Sequence, residues 1–583
     1  MKLVVDNMWT YIQFESTESK LKVIVEDNMH FKLGVKPKGV EFSPAYKRGH
    51  WDGITDFYDK EFSKFPTGLL EQVQKILGEI QNNITFQFEI VDNRPDPLIK
   101  PEEVPDKIEL NGGIVLRDYQ HEAVESLVES RVGIWHLSTN SGKSLTSAGL
   151  SSLVLPKLQG DEIIGLFSHS KEIFNQLADT YEKALGIKVG KVQSGKPWDI
   201  QKVTVFMIPT VASALRVDDN KFAKFTERER TIRVLNDISE NILNGINQKS
   251  ILQNTITNFI PKTKADRLAK EEMIKILETS KNNNNIIYKF ERIKEEYVDI
   301  LRDKNNDKIK KKYEMKELLS RVVLGVFDEA HHIQGEGYYN TLLACENSLM
   351  RVGLTGTIDK EKELGTQRLL AGFGGVVHEV SNKEMIARGI SADPTILMIP
   401  IDRVQNDEED VDFIEQANYQ TAYSRAIVKN RHRNGLISKF AEMWYNKGAG
   451  VLIIIQRIEQ GEQIKEQLNA LGVPTEFIHG SSEDEHRENT IQAMKDGELK
   501  VLIASTILDE GVDISGIDVL IMGAGNKSLR ETLQRVGRGL RRKEDDNTLT
   551  VIDFIDKTNK YLYNHSKERL TIYKEEDFDI KFL

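Results

Sequence analysis

Residues 132–150 read VGIWHLSTNSGKSLTSAGL. The opening run, Val132 to Leu137, has the β-branched and aromatic content of a buried strand. It breaks into a small polar loop, Ser138–Ser141, and Gly142-Lys143-Ser144 then leads into a helix. Strand, phosphate loop and helix in that order is the context in which a GK[ST] motif has a mechanism. The backbone of Thr139, Asn140, Ser141 and Gly142, with the helix N-terminus, would hold a β-phosphate, because unpaired N–H groups and the helix dipole both favour an anion. Lys143 would reach the β- and γ-phosphates, and the Ser144 hydroxyl would be a ligand of Mg²⁺. Leu137 stands where the pattern GxxxxGK[ST] expects Gly or Ala.

Val322–Phe327 (VVLGVF) is a second buried-strand run, and it ends in Asp328-Glu329-Ala330-His331. Two carboxylates at a strand's C-terminal end suit a Walker B element, with Asp328 holding Mg²⁺ and Glu329 polarising the attacking water. Arg351–Thr357 (RVGLTGT) follows, and late in the chain stands Gln534-Arg535-Val536-Gly537-Arg538-Gly539-Leu540-Arg541. Alone, each piece also reads as a loop, an acidic turn or a basic surface helix. Phosphate loop, DEAH, TGT and QRxGRxxR in this order resemble superfamily 2 helicases and translocases. The resemblance implies an α/β fold of two tandem RecA-like doubly wound domains, with a site for ATP and Mg²⁺ completed from both.

At 583 residues the chain is too long for one core, and three or four domains are expected. Hydrophobic content of 39% and charged content of 29% fit an ordinary soluble protein. No apolar run reaches roughly 18 residues, and the N-terminus MKLVVDNMWTYIQFE lacks a signal-peptide pattern, so no membrane partner is expected. Cys345 is the only cysteine, which excludes an intrachain disulfide and suits a cytoplasm, that of a host cell if the chain is phage-encoded. A net charge of −11 opposes nucleic-acid binding on average, so what matters is local clustering of positive charge.

Residues 1–14 alternate, with Met8, Tyr11, Ile12 and Phe14 among the apolar positions, and predict a strand pair. Leu21–Val25 reads as another strand. Thr67–Ile80 carries Leu69, Leu70, Val73, Ile76, Leu77 and Ile80 at helical spacing, and Ile84–Val91 alternates again. Residues 1–95 therefore read as a small α+β accessory domain. Within it Phe42–Gly53 (FSPAYKRGHWDG) resembles a segment of the accessory domain of UvsW-like phage recombination and fork-remodelling helicases. On that resemblance Lys47, Arg48 and His50 touch phosphates while Tyr46 or Trp51 stacks on a base. A turn with Trp51 packed in the core stands on equal terms.

Residues 96–112 read as a linker, since four prolines and many charges fall in 92–106. The first motor domain is expected over 113–395. Leu116–Gln120 (LRDYQ) precedes an amphipathic helix and resembles the family's adenine-reading Q motif, with Gln120 on the base and Arg117 supporting it. Ser168 and His169 stand at motif Ia and Thr210 at motif Ic, both expected at the C-terminal ends of parallel strands and on the nucleic-acid backbone. Thr355 and Thr357 occupy motif III, which couples the nucleotide site to the second domain. Residues 216–320 read as a helical insertion, an antiparallel hairpin with Asn282–Asn285 near its turn and Met273, Ile276, Leu277, Phe290, Ile293 and Tyr297 inside. Its basic point, Lys308–Lys312 (KIKKK), reads as a solvated helix face ahead of a duplex clamp, a wedge or a dock for a protein partner.

The second motor domain is expected over 396–560, with Leu549–Phe554 closing its sheet and 561–583 a charged tail. Gln456 and Arg457 match motif IV. Ser505 and Thr506 match motif V on the nucleic-acid side, with Gly511 and Asp513 towards the nucleotide. Arg535, Arg538, Arg541 and Arg542 recur at helical spacing beside Gln534, and arginines clustered on one face call for an anionic ligand. The resemblance makes Arg538 and Arg541 the fingers on the γ-phosphate.

It also implies an ATP hydrolase coupled to nucleic-acid unwinding or translocation, with closure of two domains becoming a step along a backbone-held strand. The implied substrate is branched DNA, whose forks are regressed, Holliday junctions migrated and duplexes unwound, by a monomer. A duplex translocase driving a restriction or nuclease complex, and an RNA helicase, are the alternatives.

Overall fold

Leu3, Val5, Thr10 and Ile12 all turn inward from strands β1 (Lys2–Val5) and β2 (Trp9–Gln13), as a period-two pattern requires. β3 (Lys64–Pro66) pairs antiparallel with β2 and β4 (Glu89–Asp92) parallel with β1, giving a four-stranded sheet of order β3-β2-β1-β4. The computed structural model describes all residues except 38, 139, 218–229, 244–252, 254, 262–263, 280–282, 357, 359–362, 405–413, 506–516 and 527–547. Two compact units are present, Met1–Ile208 with Val322–Leu583, and Pro209–Arg321.

The strand expected at Leu21–Val25 is instead part of a helix, Ser19–Leu33. Val25, Met29 and Leu33 recur every four residues and are buried, whereas Val23 is exposed. A helical stripe that long outweighs the β-propensity of three adjacent branched residues. Helix Leu70–Gln81 forms as its spacing predicts and buries Val73, Ile76, Leu77 and Ile80 in the same core. This N-terminal sheet and its helices are seated on helix Glu363–Phe373. Gln367 donates through Nε2 to the carbonyl of Leu33 at 3.1 Å and to Gln72 Oε1 at 2.9 Å. Gly68 admits the carbonyl of Leu370, which would lie 2.1 Å from any Cβ at that position.

The first parallel sheet comprises β7 (Val132–Leu137), β8 (Ile163–Ser168), β9 (Gly190–Val192), β10 (Val203–Met207), β11 (Val322–Phe327), β12 (Met350–Thr355) and β13 (Val376–Val380), in order β13-β7-β12-β11-β8-β10-β9. Every residue of β8, β11 and β12 is buried, as in a sheet with both faces covered. A short hairpin, β5 (Glu109–Leu110) with β6 (Ile114–Val115), precedes it. The segment read as a linker is not free chain. Ile99, Ile108 and Leu110 are buried in the domain's core, because prolines end regular structure without preventing apolar side chains from packing.

The second parallel sheet comprises β14 (Asp393–Ile401), β15 (Val451–Ile455), β16 (Thr475–Ile478), β17 (Val501–Ser505), β18 (Val519–Met522), β19 (Thr548–Asp556) and β20 (Asp579–Phe582). Its order is β16-β17-β15-β18-β19-β14-β20. Two tandem doubly wound α/β domains are therefore present. β19 does not close the sheet: β14 lies beyond it and β20 forms the edge. The charged tail is thus a working part of this domain. Its helix, Lys560–Glu575, sends Arg569 into the core, where Nε donates to Asp553 Oδ2 at 2.8 Å and Tyr573 donates to the same oxygen at 3.0 Å. Burial opposes the charge of Arg569, but Asp553 together with Asp556 and Tyr573 more than offsets that and raises its pKa. A second buried pair, Arg433 with Asp556 at 2.9 Å, ties helix Arg431–Tyr445 to the end of β19.

In the other unit, helices Arg230–Leu243, Lys264–Thr279 and Asn283–Ser320 share one apolar core that includes Ile232, Leu235, Met273, Ile276, Phe290 and Ile293. The expected hairpin is therefore extended by a third helix. The buried carboxylate of Asp266 accepts from Thr231 Oγ1 at 2.9 Å and from Tyr297 at 2.5 Å, so one side chain joins all three. No helix among the described residues is long and apolar enough to cross a membrane.

Candidate nucleotide site and nucleic-acid interface

β7 ends at Leu137, and the loop after it turns through two left-handed residues, Asn140 at φ 68° and Gly142 at φ 80°. Gly142 has a second reason to be glycine: a Cβ there would meet Gln120 Nε2 at 2.5 Å. Helix Lys143–Val154 starts at once, so its first amides point back into the loop. The loop is held from below. Tyr119 and Gln120 both donate to the carbonyl of Ser141, at 3.0 and 2.9 Å, and Ser141 Oγ donates to the carbonyl of Ser138 at 2.7 Å. The hydroxyl of Ser138, at the start of this loop, is buried with no partner among the described residues. Left-handed turn, helix start and unpartnered hydroxyl together fit a polyphosphate.

β11 delivers Asp328 and Glu329 to the same edge, 5% and 8% exposed. Glu329 Oε1 lies 3.9 Å from Lys143 Nζ. Glu329 is itself left-handed at φ 46°, a conformation that costs a non-glycine residue about 1 kcal/mol and clusters at functional sites. It opens a 3₁₀ turn, Ala330–Gln334. Tyr338 supports it by donating to the carbonyl of Asp328 at 2.9 Å, and burial, helped by both carboxylates, pushes that phenol well above its ordinary pKa. His331 Nδ1 lies 3.3 Å from Glu329 Oε2 and 3.2 Å from Thr355 Oγ1, joining the carboxylate to the end of β12. Ser144 and Asp328 could supply two oxygens to a Mg²⁺ that otherwise keeps water and phosphate ligands.

Gln120 is buried, with its amide engaged on protein: Oε1 accepts from the Arg117 amide at 3.0 Å while Nε2 holds Ser141. Arg117 is exposed and donates to Tyr119 at 3.1 Å. Across the edge, Ser168 is buried at the end of β8 and donates to the carbonyl of Ser170, while His169 is exposed. Gln456 and Arg457 are exposed just after β15, and Ser505 ends β17 with its hydroxyl buried and without a partner among the described residues. Each stands at the C-terminal end of a parallel strand, the edge at which such sheets take ligands. Thr210 lies in the first turn of helix Ile208–Leu215, which follows β10.

In the accessory domain Lys47 and Arg48 are exposed, and Trp51 is half-buried with Nε1 donating to the carbonyl of Ile54 at 2.8 Å. Thr139, Thr357, Thr506, Gly511, Asp513, Gln534, Arg538 and Arg541 lie outside the described residues. Spacing alone does not reveal three further residues. His332 lies within the 3₁₀ turn and Tyr338 on the helix Glu336–Leu343 that follows it. Arg388, on the stretch between the two sheets, lies 5.2 Å over the ring of Tyr119 and pairs with Asp118 at 2.7 Å.

The family model of the type III restriction enzyme res subunit matches residues 113–237 and 230–360, and that of the helicase conserved C-terminal domain matches 407–543. A putative helicase of a Sulfolobus islandicus filamentous virus is 27% identical over 261 residues, which is 43% of this chain and 44% of that protein. The ATP-dependent DNA helicase uvsW of phage T4 is 21% identical over 280 residues, 45% of this chain and 55% of its own length. The chain thus spans about half the length of these relatives. The crystal structure of T4 UvsW aligns over 100% of this chain and 99% of that one, at 18% identity and a TM-score of 0.39.

Proposed function

We propose that this chain, which belongs to superfamily 2 of the helicases, is an ATP-driven DNA motor that remodels branched structures. The observation that carries the reading is the convergence of Lys143 and Glu329 at 3.9 Å on the edge where β8 also ends. ATP supplies the phosphoanhydride whose hydrolysis drives the motor, with Mg²⁺ neutralising its phosphates. The chain's own groups do the rest. Loop amides and Lys143 would hold the phosphates, Ser144 and Asp328 would hold the metal, and Glu329 would orient the attacking water and take its proton. To Arg538 and Arg541, outside the described residues, we assign the role of fingers on the γ-phosphate, a contribution of about 10³–10⁵ in rate for such residues. To Gly511 and Asp513, likewise outside them, we assign the remaining nucleotide contacts.

Ser168, His169, Thr210, Gln456, Arg457, Ser505 and Thr506 track the backbone of one strand, so binding is largely sequence-independent and salt-sensitive. Lys47, Arg48 and Trp51 engage the branch. DNA is favoured by the likeness to a protein named a DNA helicase, and forks and four-way junctions by the accessory segment. A second reading, a duplex translocase that does not separate strands, is favoured by the match of 113–360 to a restriction-enzyme subunit family. ATP turnover and unwinding on a fork, a four-way junction, a linear duplex and RNA separate the two. Branch-dependent turnover with strand separation supports remodelling; equal stimulation by linear duplex without separation supports the translocase.

A further inference from the structure

Three imidazoles stand in a row beside the catalytic carboxylate. His169, exposed in the loop after β8, stacks on His332 with centroids 4.6 Å apart and planes 12° from parallel. His332 in turn lies 4.3 Å from His331, whose Nδ1 faces Glu329 Oε2 and Thr355 Oγ1. The backbone repeats the connection: the amide of His332 donates to the carbonyl of Glu329 at 3.0 Å and so closes the turn that keeps Glu329 left-handed. His332 is thus linked to Glu329 twice, through the ring of His331 and through its own amide.

We propose that His332 is a positioning residue that transmits occupancy of the loop Ser168–Ser170 by a nucleic-acid phosphate to Glu329, through its stack on His169. The inference rests on the motor reading above. A nearly parallel stack joins the aromatic face of His332 to His169. A strand phosphate bound at 168–170 fixes the ring of His169, the stack fixes His332, and the 3₁₀ turn is then held with Glu329 aligned.

The test compares His332→Ala with His332→Phe, which keeps a flat ring, by the ratio of DNA-stimulated to DNA-free ATP turnover in the full chain. His332→Ala should lower that ratio roughly two- to tenfold, the size of one aromatic stack, through kcat more than through KM for ATP. His332→Phe should restore most of it, and His169→Ala combined with His332→Ala should be no worse than the weaker single variant. Equal loss in the Ala and Phe variants, or an unchanged ratio in His332→Ala, overturns the relay alone. No stimulation of the unsubstituted protein by any DNA removes the motor reading, and the relay with it.

Discussion

The ammonium of Lys143 and the carboxylate of Glu329 face each other at 3.9 Å across the ends of β7 and β11, both largely shielded from solvent. At that separation the two charges attract each other without sharing a hydrogen bond.

Replacing either partner should stop turnover for different reasons. Lys143→Ala removes a charge from the phosphates, and Glu329→Gln keeps the shape while removing the base. A fall of about 10²–10⁴-fold in phosphate release is expected for Glu329→Gln, with thermal unfolding little changed. Ordinary turnover in either variant would falsify the site assignment.

Lys47→Ala with Arg48→Ala should weaken binding to a four-way junction while DNA-free ATP turnover persists. Both side chains are exposed, and Lys47 lies 5.8 Å over the ring of Phe42, itself exposed. Titrations at several salt concentrations should show the log–log slope reduced by about one to two, as for lost phosphate contacts. An unchanged slope would mean that DNA does not touch this segment.

The aspartates around His30 predict a pH window for the accessory domain. Asp56 accepts at 2.6 Å and Asp52 at 3.0 Å, with the ring of Phe31 edge-on beside them. Asp56 first, against some desolvation, and then Asp52 raise the pKa of His30 above 6.5. Its stabilisation is complete below that ordinary value and is lost as pH rises through the raised one. Asp52 behaves oppositely: the Ile54 amide first, then His30, lower its pKa below 3.8, so its share is lost as pH falls through the lowered value. Thermal melts across pH should show decline on the alkaline side that His30→Gln abolishes; an identical profile for the variant would exclude this cluster as the source.

Truncation after residue 560 should destabilise the second motor domain. It removes β20 from the sheet edge and leaves Asp553 buried without Arg569. Arg569→Met isolates the second effect, and an uncompensated buried carboxylate costs about 3–5 kcal/mol. Urea unfolding of the two variants against the full chain measures this, and a midpoint unmoved by truncation would make the segment dispensable.

Deleting 220–318 with a short linker should leave ATP turnover intact, because Pro209–Arg321 is a compact unit with its own apolar core. An insoluble product would show that the motor needs it.

Patterns that repeat at short range are legible in the sequence. VGIWHL, IIGLFS, VVLGVF and VLIII are apolar runs of strand length, and each forms a buried or nearly buried parallel strand. The turn after VGIWHL and the two carboxylates after VVLGVF are legible in position for the same reason, since each follows directly on its strand. Leu21–Val25 misled because three branched residues speak for a strand locally while the burial that decides the matter runs on to Leu33.

What the sequence determined by itself is the local machinery: a strand that must turn at Gly142, a helix that must begin at Lys143, two carboxylates at the end of a buried run. What only tertiary structure decided is which distant groups meet. Nothing in the spacing of His169 and His332, Arg569 and Asp553, or β20 and β14 marks them as partners. Strand order is settled by burial of both sheet faces at once, a condition on the whole chain that no short window contains.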